Sequence, residues 1–138
     1  MNRKRILLVE DDPLSLKLMR DALAAGGYET QETSSGLEVP ALAREYRPDL
    51  VLMDIGLPGM DGVEATRQLK QSAESGHVPV VAVTAYAMPA DEARARAAGC
   101  DAYLTKPLRL SELLSVVGGL LGDGAYAPAA DSEQGTEK

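Results

Sequence analysis

The stretch Leu50-Val51-Leu52-Met53-Asp54 is a continuous apolar run that ends in a carboxylate. An uninterrupted run of this length is typical of a strand that is covered on both faces, as in a parallel sheet. Its last residue would then lie at the carboxyl edge of the sheet, where open α/β folds place their ligands. Both the fold and the candidate site can therefore be worked out from what surrounds this strand.

Four further apolar runs alternate with helix-length segments along the chain. The predicted strands are 5–10, 28–33, 50–53, 80–83 and 102–104. The predicted helices are 13–25, 36–47, a segment from 61 that runs out near 74–76, 89–98 and 110–121. This strict alternation predicts the α/β class, a doubly wound five-stranded parallel sheet with right-handed crossovers and five helices distributed over both faces.

Two of these helices carry an apolar stripe at three- and four-residue spacing, which should face the core. The stripe comprises Leu16, Leu18, Met19, Ala22 and Leu23 in the first helix, and Leu110, Leu113, Leu114, Val117 and Leu121 in the last. Gly118-Gly119 weakens the last helix near its end.

Single residues mark several helix boundaries. Pro40 favours a late start for the second helix, because proline is tolerated in a first turn, where its missing N–H costs nothing. Asp61 and Glu64 form an Asp variant of the capping box at the start of the third helix. Gly26-Gly27 and Gly99 should end the first and fourth helices.

Length and charge exclude several classes of function. A chain of 138 residues accommodates one domain, which we place at 1–121, and leaves no room for a second catalytic or DNA-binding domain. A net charge of -7 disfavours direct contact with nucleic acid. No apolar run approaches the length of a membrane span, and the single cysteine, Cys100, excludes an internal disulfide and fits a cytoplasmic protein.

Residues 122–138 lack apolar periodicity and are rich in Gly, Ala, Pro and acids, which predicts a disordered acidic tail.

Polar residues follow four of the five predicted strands directly. They are Glu10, Asp11 and Asp12 after the first, Asp54 after the third, Thr84 after the fourth, and Thr105, Lys106 and Pro107 after the fifth. Parallel strands carry these groups to one edge of the sheet. Carboxylates gathered there repel one another, and a hard divalent cation with oxygen ligands relieves that repulsion, which points to Mg²⁺.

This set of groups predicts phosphoryl transfer. Asp11 and Asp54 would ligate the metal directly, Glu10 would hold a metal-bound water, and a backbone carbonyl shortly after Asp54 would complete the site. Lys106 offers an ammonium, and Thr84 a hydroxyl, to phosphoryl oxygens. Asp54 would then be a nucleophile that becomes an acyl phosphate, a high-energy modification suited to a transient signal.

The arrangement closely resembles the receiver domains of two-component response regulators, over roughly 4–121 of this chain. The stretches that carry the resemblance are 9–12 (Val-Glu-Asp-Asp), 53–62 (Met-Asp-Ile-Gly-Leu-Pro-Gly-Met-Asp-Gly), 83–85 (Val-Thr-Ala) and 103–107 (Tyr-Leu-Thr-Lys-Pro). The resemblance implies a CheY-like, flavodoxin-like three-layer sandwich with strand order 2-1-3-4-5. The stretch 81–92, with Gly99-Cys100, is especially similar to single-domain regulators of the DivK type.

Residue roles follow from this resemblance, position by position. It implies that Asp54 is the phosphoacceptor, that Glu10, Asp11, Asp54 and the Gly56 carbonyl form the Mg²⁺ site, and that Lys106, before a cis Pro107, binds the phosphoryl group. Thr84 and Tyr103 would form a switch pair that remodels the face built by the fourth helix, fifth strand and fifth helix. The implied partners are a sensor histidine kinase or histidine phosphotransfer protein as donor, and a downstream protein at that face.

Other interpretations compete with this one. Phosphatases of the haloacid dehalogenase type also use an Asp nucleophile with Mg²⁺, but they need a second Asp two residues later, and Gly56 stands there. We therefore expect a phosphoacceptor that catalyses only its own phosphorylation and dephosphorylation. A receiver-like interaction module that is never phosphorylated remains the alternative. Lys106 could pair with Asp54 in the resting protein, Tyr103 could simply fill core, and His77 and Cys100 are interpreted as surface and packing residues.

Overall fold

The computed structural model describes residues 3–56, 62–85 and 88–122. Its strands are β1 (Arg5–Val9), β2 (Glu29–Thr33), β3 (Leu50–Asp54), β4 (Val80–Thr84) and β5 (Ala102–Thr105). Its helices are α1 (Pro13–Ala25), α2 (Val39–Tyr46), α3 (Gly62–Gln71), α4 (Pro89–Ala98) and α5 (Leu110–Leu121), with a 3-10 turn at Gly36–Glu38. Each predicted element is present, and the boundaries agree to within a few residues.

All five strands run parallel in the order β2-β1-β3-β4-β5, which confirms the predicted fold class and strand order. The register pairs Val9 with Met53, Asp54 with Val83, and Thr84 with Thr105. The carboxyl ends of β1, β3, β4 and β5 therefore meet at one edge of the sheet, and this edge positions the candidate site.

The sheet separates two apolar layers, and alternate residues of β3 face opposite ones. Val51 and Met53 pack into the layer formed with α2, α3 and α4. Leu50 and Leu52 pack into the layer formed with α1 and α5. Each of these four side chains is no more than 1% exposed. This two-sided burial explains why the run carries no alternation of polar and apolar residues.

The apolar stripes were predicted only in part. Met19, Ala22 and Leu23 of α1 are buried, whereas Leu18 is 47% exposed. Leu110, the first residue of α5, is also 47% exposed, although Leu113 and Val117 are fully buried. The expectation that Leu18 and Leu110 face the core is wrong, because both lie at the margin of the stripe, where spacing alone does not separate a buried from an exposed position.

Helix boundaries follow local chemistry. Pro40 lies in the first turn of α2, after a separate 3-10 turn whose N-cap is Ser35, which confirms the late start. The third helix ends at Gln71, earlier than predicted, because the chain folds back over its last turn: the Ser75 hydroxyl donates to the Leu69 carbonyl (2.8 Å) and the Gly76 N–H to the Ser72 carbonyl (2.7 Å). The Asp61 cap lies outside the described residues.

The last two helices end in left-handed glycines, Gly99 (φ 112°) and Gly122 (φ 67°). The fifth helix continues through Gly118-Gly119 to Leu121, despite the low helix propensity of glycine. Apart from Gly122, the predicted acidic tail lies outside the described residues. Within the described ranges, no helix has the length and apolarity needed to cross a membrane.

Candidate functional site

Three carboxylates converge at the carboxyl edge of the sheet, as the order of the strands requires. Oxygens of Glu10 and Asp11, which follow β1, and of Asp54, which ends β3, all lie within 4.8 Å of one another. Glu10 is fully buried and Asp54 is 7% exposed, whereas Asp11 faces solvent. The edge therefore holds two carboxyl groups that water hardly reaches beside a third that water reaches freely.

Lys106, just after β5, brings the positive charge to this cluster. Its Nζ lies 2.9 Å from Oε1 and 3.0 Å from Oε2 of Glu10, with hydrogen-bond geometry only at Oε2, and 3.3 Å from Oδ2 of Asp54. Its backbone N–H donates to the Thr84 carbonyl (2.7 Å), which holds the residue against β4. The following bond to Pro107 is cis, as predicted. The resting pair with Asp54 is thus present, but the Lys106 ammonium lies closer to Glu10.

Burial and like charge govern the electrostatics. Burial, reinforced by the neighbouring Asp54 carboxyl, raises the pKa of Glu10 to about 7, against the opposing effects of Lys106 and the Asp12 N–H. Burial lowers the pKa of Lys106, but the hydrogen bond to Glu10 and the charge of Asp54 outweigh it, so the net shift is upward. Among the described residues at this edge, one ammonium lies beside three carboxyl groups.

The loop after β3 is fixed by its own hydrogen bonds. The Gly56 N–H donates to Oδ1 of Asp54 (2.8 Å), and the Ile55 N–H donates to the Val83 carbonyl of β4 (3.0 Å). On the other side, the Asp12 N–H donates to Oε2 of Glu10 (3.1 Å), while the Asp12 side chain caps α1. The two buried carboxylates are therefore held by neighbouring backbone as well as by Lys106.

A hard divalent cation fits this donor set. Oε1 of Glu10 is buried and accepts no hydrogen bond among the described residues, although Lys106 lies near it. An oxygen in that position gains from a further positive charge, and three carboxylates within reach of one ion suit Mg²⁺. The residues that could hold it are Glu10, Asp11 and Asp54, together with the backbone carbonyl of Gly56.

Thr84 and Tyr103, the predicted switch pair, lie on the adjacent strands β4 and β5. Thr84 is 1% exposed at the end of β4, one residue after Val83, which is the register partner of Asp54. Tyr103 is half-buried and packs against the layer formed with α2, α3 and α4. Its ring thus contributes to the core while remaining partly open to solvent. His77 is exposed and Cys100 is buried, as predicted.

An apolar surface beside the site was not predicted from the sequence. Leu14, Leu18, Pro107 and Leu108 line an open cavity of about 330 Å³ that also reaches Lys106. Leu14 is 65% exposed. The i, i+4 spacing of Leu14 and Leu18 places both on one side of the helix, but the same spacing is typical of a buried face and so does not predict an exposed surface.

The family model described as "Response regulator receiver domain" matches residues 6–118. The chain belongs to the response regulator receiver family. It is 50% identical over 120 residues to the polar-differentiation response regulator DivK of Brucella anthropi, a match that covers 87% of this chain and 98% of that protein. This receiver domain is therefore of the DivK type, consistent with two-component signalling.

Solved receiver structures share its fold. One is the receiver domain of a sensor histidine kinase from Pseudomonas aeruginosa PAO1, with a magnesium ion coordinated in its active site cleft (TM-score 0.82, 33% identity, 88% of this chain and 99% of that one). Another is a CheY-like receiver domain protein from Methanospirillum hungatei JF-1 (TM-score 0.82, 30% identity, 88% and 96%). The predicted resemblance to CheY-like receiver domains is confirmed.

Proposed function

We propose that this receiver domain accepts a phosphoryl group on Asp54 from a phosphohistidine, in a Mg²⁺-dependent reaction in the cytoplasm, and signals by changing a protein-binding surface. The observation that carries the proposal is the position of the Asp54 carboxylate, which lies within reach of two further carboxylates and 3.3 Å from the Lys106 ammonium. The domain would catalyse only its own phosphorylation and dephosphorylation.

Glu10, Asp11, Asp54 and the Gly56 carbonyl would hold the Mg²⁺, with Glu10 acting through a bound water. When bound, the ion would neutralise charge on the transferring phosphoryl group. Support comes from the buried Oε1 of Glu10, which accepts no hydrogen bond among the described residues, and from the magnesium ion in the Pseudomonas receiver domain. Charge balance also favours it, since one ammonium lies beside three carboxyl groups in the described part of the site.

In the reaction, a carboxylate oxygen of Asp54 attacks phosphorus and the P–N bond of the phosphohistidine breaks, with its electron pair leaving on the imidazole nitrogen. Lys106 then exchanges part of its contact with Asp54 for a phosphoryl oxygen. The Thr84 hydroxyl donates a hydrogen bond to another. Because these groups are held by strands and by backbone bonds, little reorganisation is needed during transfer.

The apolar cavity beside Lys106 suits the docking of the donor. The exposed Leu14 and Leu18 would pack against an apolar helix face of the kinase or phosphotransfer protein and bring its phosphohistidine over the sheet edge. Replacing Leu14 by Ser should slow transfer from a phosphorylated partner while leaving phosphorylation by acetyl phosphate unchanged.

Signal output would be a population shift. Phosphorylation gives Thr84 a new acceptor, Tyr103 moves further inward, and the face of α4, β5 and α5 changes shape for a downstream protein. Thr84→Ala should uncouple the affinity for that protein from phosphorylation. An unchanged response in this variant would count against the switch.

The deciding experiment is intact mass after incubation with acetyl phosphate and Mg²⁺, for the wild type and Asp54→Asn, with EDTA as a control. We expect a Mg²⁺-dependent, hydroxylamine-labile phosphoryl adduct on the wild type alone. No adduct, even with phosphorylated histidine kinases as donors, would overturn the proposal in favour of a phosphorylation-independent interaction module. Calorimetric titration without Mg²⁺ uptake would point the same way.

A further inference from the structure

Gly62, the first residue of α3, is buried against the end of β3. A Cβ atom at this position would lie 2.6 Å from the carbonyl oxygen of Asp54 and 2.6 Å from Cα of Ile55. Both neighbours are backbone atoms, which no change of rotamer can move aside. Any side chain at 62 therefore requires either α3 or the 54–56 backbone to shift.

The 54–56 backbone has little freedom to retreat from α3. The Ile55 N–H donates to the Val83 carbonyl (3.0 Å), and Asp54 pairs with Val83 in the β3–β4 register. Behind them, Met53 and Val83 are at most 1% exposed. The segment is thus clamped between β4 and Gly62.

This same segment carries two of the groups assigned to the site. Asp54 supplies the proposed phosphoacceptor oxygen, and Gly56 supplies the backbone carbonyl proposed for the metal. The Gly56 N–H also donates to Oδ1 of Asp54 (2.8 Å), so a displacement of one alters the other. A shift of a few tenths of an ångström here would disturb both at once.

We propose that Gly62 is a positioning residue for phosphoryl transfer: the absence of its side chain lets α3 rest directly on the backbone of Asp54 and Ile55, and this contact fixes the phosphoacceptor and the metal-binding carbonyl. The inference rests on the proposed function. It predicts that a methyl group at 62 impairs metal binding and transfer beyond any loss of stability, because misplacement by about 1 Å can cost about 100-fold in rate.

The test compares Gly62→Ala with Gly76→Ala. A Cβ at Gly76 would lie 2.9 Å from the carbonyl oxygens of both Lys70 and Ser72, again backbone atoms, but at the turn that leads into β4, at the opposite edge of the sheet. It is therefore a matched steric control. Mg²⁺ affinity by calorimetry and the rate of phosphorylation by acetyl phosphate are measured at temperatures where circular dichroism shows each variant folded.

We expect Gly62→Ala to weaken Mg²⁺ binding about 10-fold and to slow phosphorylation about 10- to 100-fold, with Gly76→Ala within about 2-fold of wild type. Equal Mg²⁺ affinities and equal phosphorylation rates in the two variants would overturn the inference. It would also be overturned if Gly62→Ala failed to fold under conditions where Gly76→Ala folds, since Gly62 would then be needed for folding and not for positioning the site. A wild type that takes up no phosphoryl group would instead overturn the proposed function.

Discussion

Lys106 and Glu10 are 96 residues apart in sequence, yet the Lys106 ammonium contacts the buried Glu10 carboxylate more closely (2.9 Å) than it contacts Asp54 (3.3 Å). Lys106 therefore has two roles: it lies against a fully buried carboxyl group and it lies beside the proposed phosphoacceptor. The two roles can be separated by experiment.

Lys106→Met should destabilise the metal-free protein by about 1–3 kcal/mol, because it leaves two buried carboxylates without their cation. The loss should be larger at pH 8 than at pH 5, where Glu10 is protonated. Urea denaturation in EDTA at the two values of pH measures it. A loss independent of pH would show that Lys106 acts through packing instead of charge.

Glu10→Gln should flatten the dependence of stability on pH. Since burial raises the pKa of Glu10 from 4.5 in the unfolded chain to about 7, the folded state holds the proton more tightly. The resulting stabilisation is fully present below about 4.5 and is lost as the pH rises through about 7. In EDTA, wild type should therefore lose stability over this window and the variant should lose less. Parallel profiles would contradict the shift.

Asp101→Ala should lower stability without affecting phosphorylation. Oδ2 of Asp101 accepts hydrogen bonds from the Lys70 ammonium (2.9 Å) and the Val80 N–H (2.8 Å) at the edge of the sheet opposite the site. Because 38% of the Asp101 side chain is exposed, we expect the substitution to lower the free energy of unfolding by only about 1 kcal/mol.

Asp91→Ala, which removes an exposed ion pair with Arg94 (3.7 Å), is the control and should cost less than about 0.5 kcal/mol. Denaturation and acetyl phosphate assays on both variants provide the comparison. A slower reaction in Asp101→Ala would mean that the two edges of the sheet are coupled.

Arg109→Ser should stabilise the protein by up to about 1 kcal/mol. Arg109 occupies the N-cap of α5 with extended backbone, but its side chain makes no capping hydrogen bond, and serine would provide one. Arg109→Ala also removes the charge but offers no hydrogen-bond acceptor, so the difference in stability between the two variants measures the effect of capping alone. If thermal denaturation gives both variants the same stability, capping is not the cause.

The strands and the polar residues that end them could be predicted from the sequence because each strand is a short apolar run and each polar residue directly follows one. Asp54 and Lys106 were placed together through the parallel order of the strands, without any knowledge of distances. The approach of Gly62 to the Asp54 carbonyl could not be predicted, since it depends on how closely α3 packs on β3. The exposure of Leu18 and the early end of α3 likewise depend on neighbours that spacing does not specify.

All five residues of β3 are buried, and successive side chains belong to opposite layers. Deleting one residue within Leu50–Met53 would exchange the layers for the residues on one side of the deletion and shift Asp54 relative to Val83. Evolution and laboratory selection can therefore vary the size of these side chains more freely than their number. In this strand, a change of length by one residue would move the proposed phosphoacceptor away from the other groups of the site.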